Sequence, residues 1–439
     1  MTALTAGAAL LRRSLAVIAM FLLVAPALQA ADAQWIPGQD GEKLSVSLLT
    51  FGPGEIYWER FGHNAILIRD SASGESLSYN YGIFDFEEKD FFLNFLRGRM
   101  DYSMAANRGD DDIAMYAQEG RWVQEQGLNL SPPQRLALQK YLQWNLSPEN
   151  AKYRYEYFTA NCSTRVRDAL DQALGGELRR QLSAPSRGYT FRLHADHLMA
   201  GDPVLMLPMD LGLGPFADRH LSFWDESFAP GRLMLHLAQV QIHDDSGTAL
   251  PLVSSDTPLA KAKGSPRIPV LDSFPVDTAL PAGVLGTLCA GLLLWMSGRR
   301  RAGVWRVTYA VSACVVALTM TFAGLALLAL WGLTEHISAW RNENLLLLNP
   351  LVLLLIPSYW RGRGNNWRIS RFAQRLSTLV LSIALLAPAI KVLPWFVQNN
   401  GVWIALLLPV HLALFLSLRK AKARGPSIFR DNNRLIGRA

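Results

Sequence analysis

The chain has 439 residues, half of them hydrophobic and 18% charged, with a net charge of +7 at neutral pH. That length accommodates two or more domains, and the charged fraction is low for a wholly water-soluble protein. Its basic residues cluster in short segments between apolar runs, which is a membrane-topology pattern and argues against a nucleic-acid-binding face.

Residues 1–33 read as a secretory signal: Arg12 and Arg13 supply the positive start, Leu15 to Val24 the short apolar stretch, and Pro26 precedes a small-residue cleavage site at Ala30 or Ala33. Retained as an uncleaved anchor, the segment would export the following domain just the same. That domain, residues 34–245, opens with a strand over Leu44–Phe51, broken by Gly52-Pro53-Gly54. Glu55 to Arg60 fits a short loop or helix. Phe61-Gly62-His63-Asn64 leads into a β-branched strand over Ala65–Arg69, and a turn at Ser71–Gly74 returns the chain through a partner strand over Ser76–Tyr81. Gly82 to Phe86 leaves the sheet. Phe91–Arg97 predicts one or two helical turns with an aromatic face, and Asp110–Trp122 a helix or an edge strand. Ser131 caps a helix that opens on Pro132-Pro133 and carries Leu136, Leu138 and Leu142 on its apolar side.

An aromatic, extended run from Tyr153 then stops at Ala160-Asn161, and a helix follows with Val166, Leu170 and Leu174 on one face. Cys162 stands at that junction. A helix start has unpaired N–H groups and a partial positive charge, which favour a thiolate. The pattern loosens between 182 and 237, and the Pro/Ser/Asp-rich stretch 246–280 reads as a linker. Five apolar runs follow within 281–418, at about 281–297, 304–332, 344–360, 376–394 and 401–418, each near the ~20 residues that span a bilayer. Arg299-Arg300-Arg301, the arginines between 361 and 375, and the basic tail 419–439 mark the cytoplasmic gaps. The gaps at 333–343 and 395–400 hold the single Arg341 and belong outside. An exported N-terminal domain demands the same orientation.

Of the three cysteines, Cys289 and Cys314 lie in apolar runs, so Cys162 is alone in the polar part and has no disulfide partner there. A lone cysteine is commonly a small buried hydrophobe. An unpaired thiol in an oxidising compartment, at a polar helix start, is also a candidate nucleophile. Its base would be His63, held at the start of a rigid strand, with Gly62 permitting close backbone approach. Cys on a helix start facing His on a sheet is the papain-like arrangement, here with His first in the chain. Asn80 is either the group that orients His63 or an ordinary strand amide. His194-Ala195-Asp196-His197 has a metal-box look but no third ligand at suitable spacing, so neither metal nor cofactor is expected.

Three segments carry a family likeness: Phe61-Gly62-His63-Asn64-Ala65-Ile66, Tyr79-Asn80-Tyr81-Gly82-Ile83-Phe84-Asp85-Phe86, and Asn161-Cys162-Ser163-Thr164-Arg165-Val166-Arg167-Asp168. Together they resemble the Lnb N-terminal periplasmic domain family. The later residues Asp210, Gly212, Gly214, Asp218 and Phe228-Ala229-Pro230 fit the same likeness, as do Glu335-His336, Asn342-Glu343-Asn344-Leu345 and Asn349-Pro350. The resemblance implies an α+β, permuted NlpC/P60-like papain fold in the periplasm, followed by an all-α bundle of five transmembrane helices in the bacterial inner membrane. It implies a Cys162–His63 dyad, with Asn161, Asn64, Asn80, Tyr81, Thr164 and Arg165 in support. The family's named members are lipoprotein N-acyltransferases. The implied reaction moves an acyl chain from a membrane phospholipid, through a thioester on Cys162, to the N-terminal amine of a lipoprotein. Glu335, His336, Asn342 and Asn344 would line the lipid side, unless they are simply polar loop residues. A peptidoglycan peptidase or amidase, a phospholipase and a non-catalytic assembly module are the alternatives.

Overall fold

The computed structural model describes residues 40–244, 246–262, 279–300, 302–420 and 422–423; the signal segment and nearly all of the basic tail lie outside them. Seven strands build one antiparallel sheet in the order β6-β4-β3-β2-β1-β5-β9. They are β1 (Leu44–Phe51), β2 (His63–Asp70), β3 (Ser76–Ile83), β4 (Asp101–Arg108), β5 (Val123–Leu128), β6 (Lys152–Arg154) and β9 (Val253–Ala260). A separate hairpin joins β7 (Gln241–His243) to β8 (Ala249–Pro251). The helices of this part are α1 (Phe91–Arg97), α2 (Gly109–Gln118), α3 (Pro132–Leu146), α4 (Cys162–Ala173), α5 (Glu177–Leu182), α6 (Phe191–Met199), α7 (Pro203–Gly212), α8 (Phe223–Glu226) and α9 (Pro230–Leu237).

Strand alternation divides the sheet into two faces. Leu48, Ile66, Ile68, Tyr79 and Met104 pack with Leu138 and Leu142 of α3, Val166 and Leu170 of α4, and Leu233 and Leu237 of α9. Phe51, Ala65, Leu67 and Val123 take the other face, under Ile113 and Tyr116 of α2. The sheet is thus covered on both sides, and α4 is held to it by an apolar stripe at helical spacing.

Residues 246–280 are not simply a linker. β9 pairs with β5 from Val123–Ala260 to Leu128–Val253 and closes the edge of the sheet. Most of β9 is exposed, so its sequence shows no apolar alternation, and Pro258 is tolerated because an edge strand needs no donor on its open side.

Five segments are long and apolar enough to cross a membrane: Ala279–Gly298, Gly303–Leu333, Glu343–Arg363, Arg371–Val392 and Gly401–Arg419. The third is not a regular helix. It runs as short 3₁₀ pieces over Glu343–Leu346 and Pro350–Leu355 before a single α turn at Ile356–Trp360. Asn349 explains the break: its side chain accepts from the Leu351 N–H at 3.0 Å, and Pro350 restarts the chain with no donor of its own.

The gaps at 333–343 and 395–400 both dock on the sheet domain. The Glu335 N–H donates to the Arg97 carbonyl at 2.7 Å, and Gln398 Nε2 donates to the Leu213 carbonyl at 3.0 Å. The domain therefore stands on the side of the bundle where those two gaps emerge, as the charge pattern requires. Asn342 points its amide nitrogen at the carbonyls of Leu211, Gly212 and Leu213 at 2.8, 3.1 and 3.2 Å. Beneath it, buried Arg192 binds Asp210 at 2.6 Å and Asp218 at 2.9 Å, and Trp403 donates to the other Asp210 oxygen at 2.6 Å.

Candidate active site

Cys162 is the first residue of α4, and Asn161 caps that helix. Asn161 Oδ1 accepts from the Thr164 N–H at 2.9 Å, while Thr164 Oγ1 accepts from the Asn161 N–H at 2.8 Å. Asn161 Nδ2 also donates to the carbonyls of Tyr157 and Phe228, both at 2.9 Å. This reciprocal cap fixes where the helix begins, and with it the position of the thiol.

β2 and β3 part just where that thiol arrives. Their pairing runs no further than Ala65–Asn80, and β3 is irregular between Tyr81 and Ile83. Gly82 sits there at φ +88°, in the left-handed region, and a Cβ on it would lie 3.7 Å from the Cys162 Cβ. Gly82 is thus a backbone requirement, not a matter of space. The Asn64 N–H, just beyond the last β2–β3 pair, is directed to the Cys162 sulfur together with the N–H groups of Cys162 and Ser163. The Asn64 side chain is anchored on Thr50 Oγ1 at 2.9 Å, and Ser163 Oγ lies 2.8 Å from Asn64 Oδ1. Sheet and helix are thereby tied together one residue from His63. Gly62, at φ +80°, brings the turn before His63 onto Phe51, whose carbonyl would lie 2.8 Å from an added Cβ.

His63 points to the α2 face. Its ring stacks on Tyr116, with centroids 6.0 Å apart, and on Phe51, at 5.9 Å. Nε2 lies 2.9 Å from Asn80 Oδ1. Asn80 Nδ2 donates to Asp112 Oδ2 at 2.7 Å, so its oxygen, an acceptor only, must face the ring. His63 therefore carries its proton on Nε2 and keeps Nδ1 as the basic nitrogen. Asn107 Nδ2 in turn donates to Asp112 Oδ1 at 2.8 Å. Asp112, Asn107 and Tyr116 went unnoticed in the sequence. The acidic opening of α2, Asp110-Asp111-Asp112, was visible, but its meeting with Asn80 is a tertiary event.

Burial sets the protonation of the pair. It pushes the His63 imidazole down to about 4, against the hydrogen bond that its Nε2–H gives to Asn80 and with help from the Arg121 charge. It pushes the Cys162 thiol up to about 11, overriding the three backbone N–H groups and Arg121. The helix start does favour the thiolate, as the sequence suggests, but desolvation outweighs it. At neutral pH the two groups are thiol and neutral imidazole, not an ion pair. That combination suits a base that takes the thiol proton as attack begins.

Around the sulfur stand Tyr153 and Tyr155, whose phenols are pushed well up by burial, with the neighbouring Cys162 adding to it. Arg165 lies over the Tyr153 ring at 4.4 Å and so supports this wall. The Tyr153 hydroxyl is buried with no hydrogen-bond partner among the described residues. It would stand 3.8 Å from a Cβ on Gly82. An aromatic path leads outward: Tyr155 to Tyr102 at 4.6 Å, Tyr102 to Phe84 at 5.1 Å, and Phe84 to Phe91 of α1 at 5.9 Å. Trp58 meets Phe84 at 6.2 Å.

Of the other sequence candidates, Tyr81 belongs to the core, with its hydroxyl donating to Asn145 Oδ1 at 2.8 Å. Glu335 is bound by Arg99 and Arg154, and His336 stacks on Tyr157 at 5.9 Å, so both stay near the aromatic path. Asn342 and Asn344 do not line a lipid opening; they are buried in the junction, where the carbonyls of α7 need donors. His194 faces Glu226, which it shares with His236, at 3.3 and 3.1 Å.

Residues 31–196 match the family model of the Lnb N-terminal periplasmic domain. The N-terminal part of this chain thus carries an Lnb-type domain, over less than half of the chain's length. The match takes in both His63 and Cys162, and the sheet continues beyond it to β9. Neither a curated protein nor a solved structure matches the chain. The protein is a multi-pass membrane protein with a periplasmic Lnb-type domain, mixed α+β in fold.

Proposed function

We propose that this is a membrane-anchored thiol acyltransferase that moves an acyl chain from a phospholipid to the N-terminal amine of a lipoprotein. The observation that carries the reading is the Asn80–His63 hydrogen bond. It leaves Nδ1 as a base one residue from the N–H that meets the Cys162 sulfur.

His63 Nδ1 takes the thiol proton as the sulfur attacks the ester carbonyl. The backbone N–H groups of Asn64, Cys162 and Ser163, with the Tyr153 hydroxyl, are placed to receive the developing oxyanion; one such donor is typically worth ~3 kcal/mol. As the C–O bond breaks, the imidazolium returns its proton to the leaving lysolipid oxygen, and a thioester remains on Cys162. The lipoprotein amine then attacks the thioester and yields a proton to His63. The C–S bond breaks, the amide forms, and the proton passes back to the sulfur.

Support for lipid and amine as reactants comes from the family likeness, the aromatic path and the docking of the domain onto the membrane gaps. The same reading puts the protein in the bacterial inner membrane with a cytoplasmic C-terminus, on the strength of Arg299–Arg301, Arg361–Arg375 and the basic tail. The test is mass spectrometry of lipoprotein N-termini in cells lacking other N-acyltransferases. Wild-type protein should add an N-acyl group, and Cys162→Ala should not. Identical N-termini in the two strains would overturn the proposal, and altered peptidoglycan fragments would shift it to a peptidase.

A further inference from the structure

Two helices of the sheet domain carry large apolar side chains that stand well exposed among the described residues. No residue of α1 is buried, and Phe92, Leu93, Phe95 and Leu96 are all exposed, Leu96 by 66%. α7 exposes Val204 by 73% and Leu207 by 42%. Single exposed apolar residues are ordinary, but two such helices on one protein mark a surface that meets something apolar.

Their attachment identifies the partner. The residue that ends α1, Arg97, accepts from the Glu335 N–H, two residues past the last residue of the second span, Leu333. The end of α7 is held by Asn342 from the same gap, by Asn344 at the start of the third span, and by Trp403 near the start of the fifth. Trp340 and Trp395, both exposed in the two docking gaps, stand at that level too, as belt residues do at a bilayer surface. The exposed faces of α1 and α7 are therefore continuous with the lipid-facing surface of the spans. Short helices with an apolar side at this depth lie in the interface plane and need not cross it.

We infer that α1 and α7 are interfacial helices that dip into the outer leaflet of the membrane on the domain side. They hold the sheet domain against the lipid surface, with the outer end of the aromatic path, at Phe91, in the leaflet. This inference rests on the placement of the domain over the spans and not on acyl transfer.

It is tested on the full chain in vesicles of phosphatidylethanolamine and phosphatidylglycerol, with Cys162, Cys289 and Cys314 replaced by Ala. A fluorophore is attached at Leu96→Cys, at Val204→Cys, or at Ser73→Cys. Ser73 is an exposed reference in the turn at the far end of β2 from His63. All three are exposed positions, so the fold is preserved. The labels at 96 and 204 should be quenched several-fold more by lipids brominated near the glycerol end than by aqueous iodide, and the label at 73 should show the reverse. Iodide quenching at 96 or 204 equal to that at 73 would overturn the inference. Because the background lacks the thiol, the outcome is independent of whether Cys162 transfers acyl groups.

Discussion

The corner around Cys162 and the junction around Asn342 are built from the same materials. Each has buried asparagines, a buried aspartate and an arginine close by. At the junction Asn342 is matched on both sides: it gives its amide to the carbonyls of α7 and takes hydrogen bonds from Asn344 and Gln398. In the corner the matching stops short. Asn80 is fully engaged with His63, Ser78 and Asp112, yet the buried Tyr153 hydroxyl has no partner among the described residues, and the Cys162 sulfur meets only backbone N–H groups. Both regions are rigid. What separates a scaffold from a reactive site here is the kind of group that is buried: amides and a carboxylate that hold one another at the junction, a thiol and an imidazole in the corner.

The largest expected effect breaks the corner outright. Cys162→Ala or His63→Ala should lower acyl transfer in proteoliposomes by about 10⁴-fold, and the double variant should be no worse than either, since the two act as one unit. Multiplying single effects would show that they do not. The next prediction concerns protonation. With the thiol at about 11 and the imidazole at about 4, the thiolate is scarce at neutral pH. Alkylation of Cys162 by iodoacetamide should therefore rise ~10-fold per pH unit from neutrality upward, following the thiolate fraction. A plateau across that range would mean an ion pair. Transfer itself should fade only as the pH drops towards 4, where His63 gains a second proton and can no longer act as base. A smaller loss, about 10²-fold in kcat, should follow Asn80→Ala, which frees the ring to turn without removing it.

The parts legible in the sequence were those with local signals. β1 to β3 alternate or carry β-branched residues, and the Cys162 helix announces itself through Asn161, Thr164 and the Val166–Leu170–Leu174 stripe. β4, Asp101–Arg108, was missed because its inward side chains, Tyr102, Met104 and Ala106, include no β-branched residue. β5 was missed because Val123–Leu128 is mostly glutamine, glutamate and glycine. β9 reads as linker because an exposed edge needs no apolar face. His63 and Cys162 could be named from their settings alone. The Asp112–Asn80 bond, across 32 residues, could not, since nothing local distinguishes that aspartate from its two neighbours. Asn342 and Asn344 read as lipid-side residues for the same reason: an asparagine in a loop looks alike whether it meets a ligand or a helix end.

That ambiguity sets the smallest effect and the sharpest contrast. Asn342→Ala removes the donor that meets three carbonyls at the end of α7. The Leu211 and Leu213 carbonyls keep Asn344, Arg192 and Gln398 as donors, but the Gly212 carbonyl and the buried Asn344 N–H lose their partner, at about 1–3 kcal/mol, so the variant should unfold at lower temperature or denaturant. Its kcat at a temperature where it is folded should match wild type, because nothing in the junction touches the thiol or its base. Asn80→Ala also strips buried Asp112 of a donor and so should lose stability too, but it should lose kcat with it, and kcat is what separates the two variants. Thermal unfolding in detergent and single-turnover transfer, measured on both variants, decide the matter. If Asn342→Ala loses kcat while keeping its stability, the junction is part of the reactive machinery, and the division between scaffold and reactive site fails.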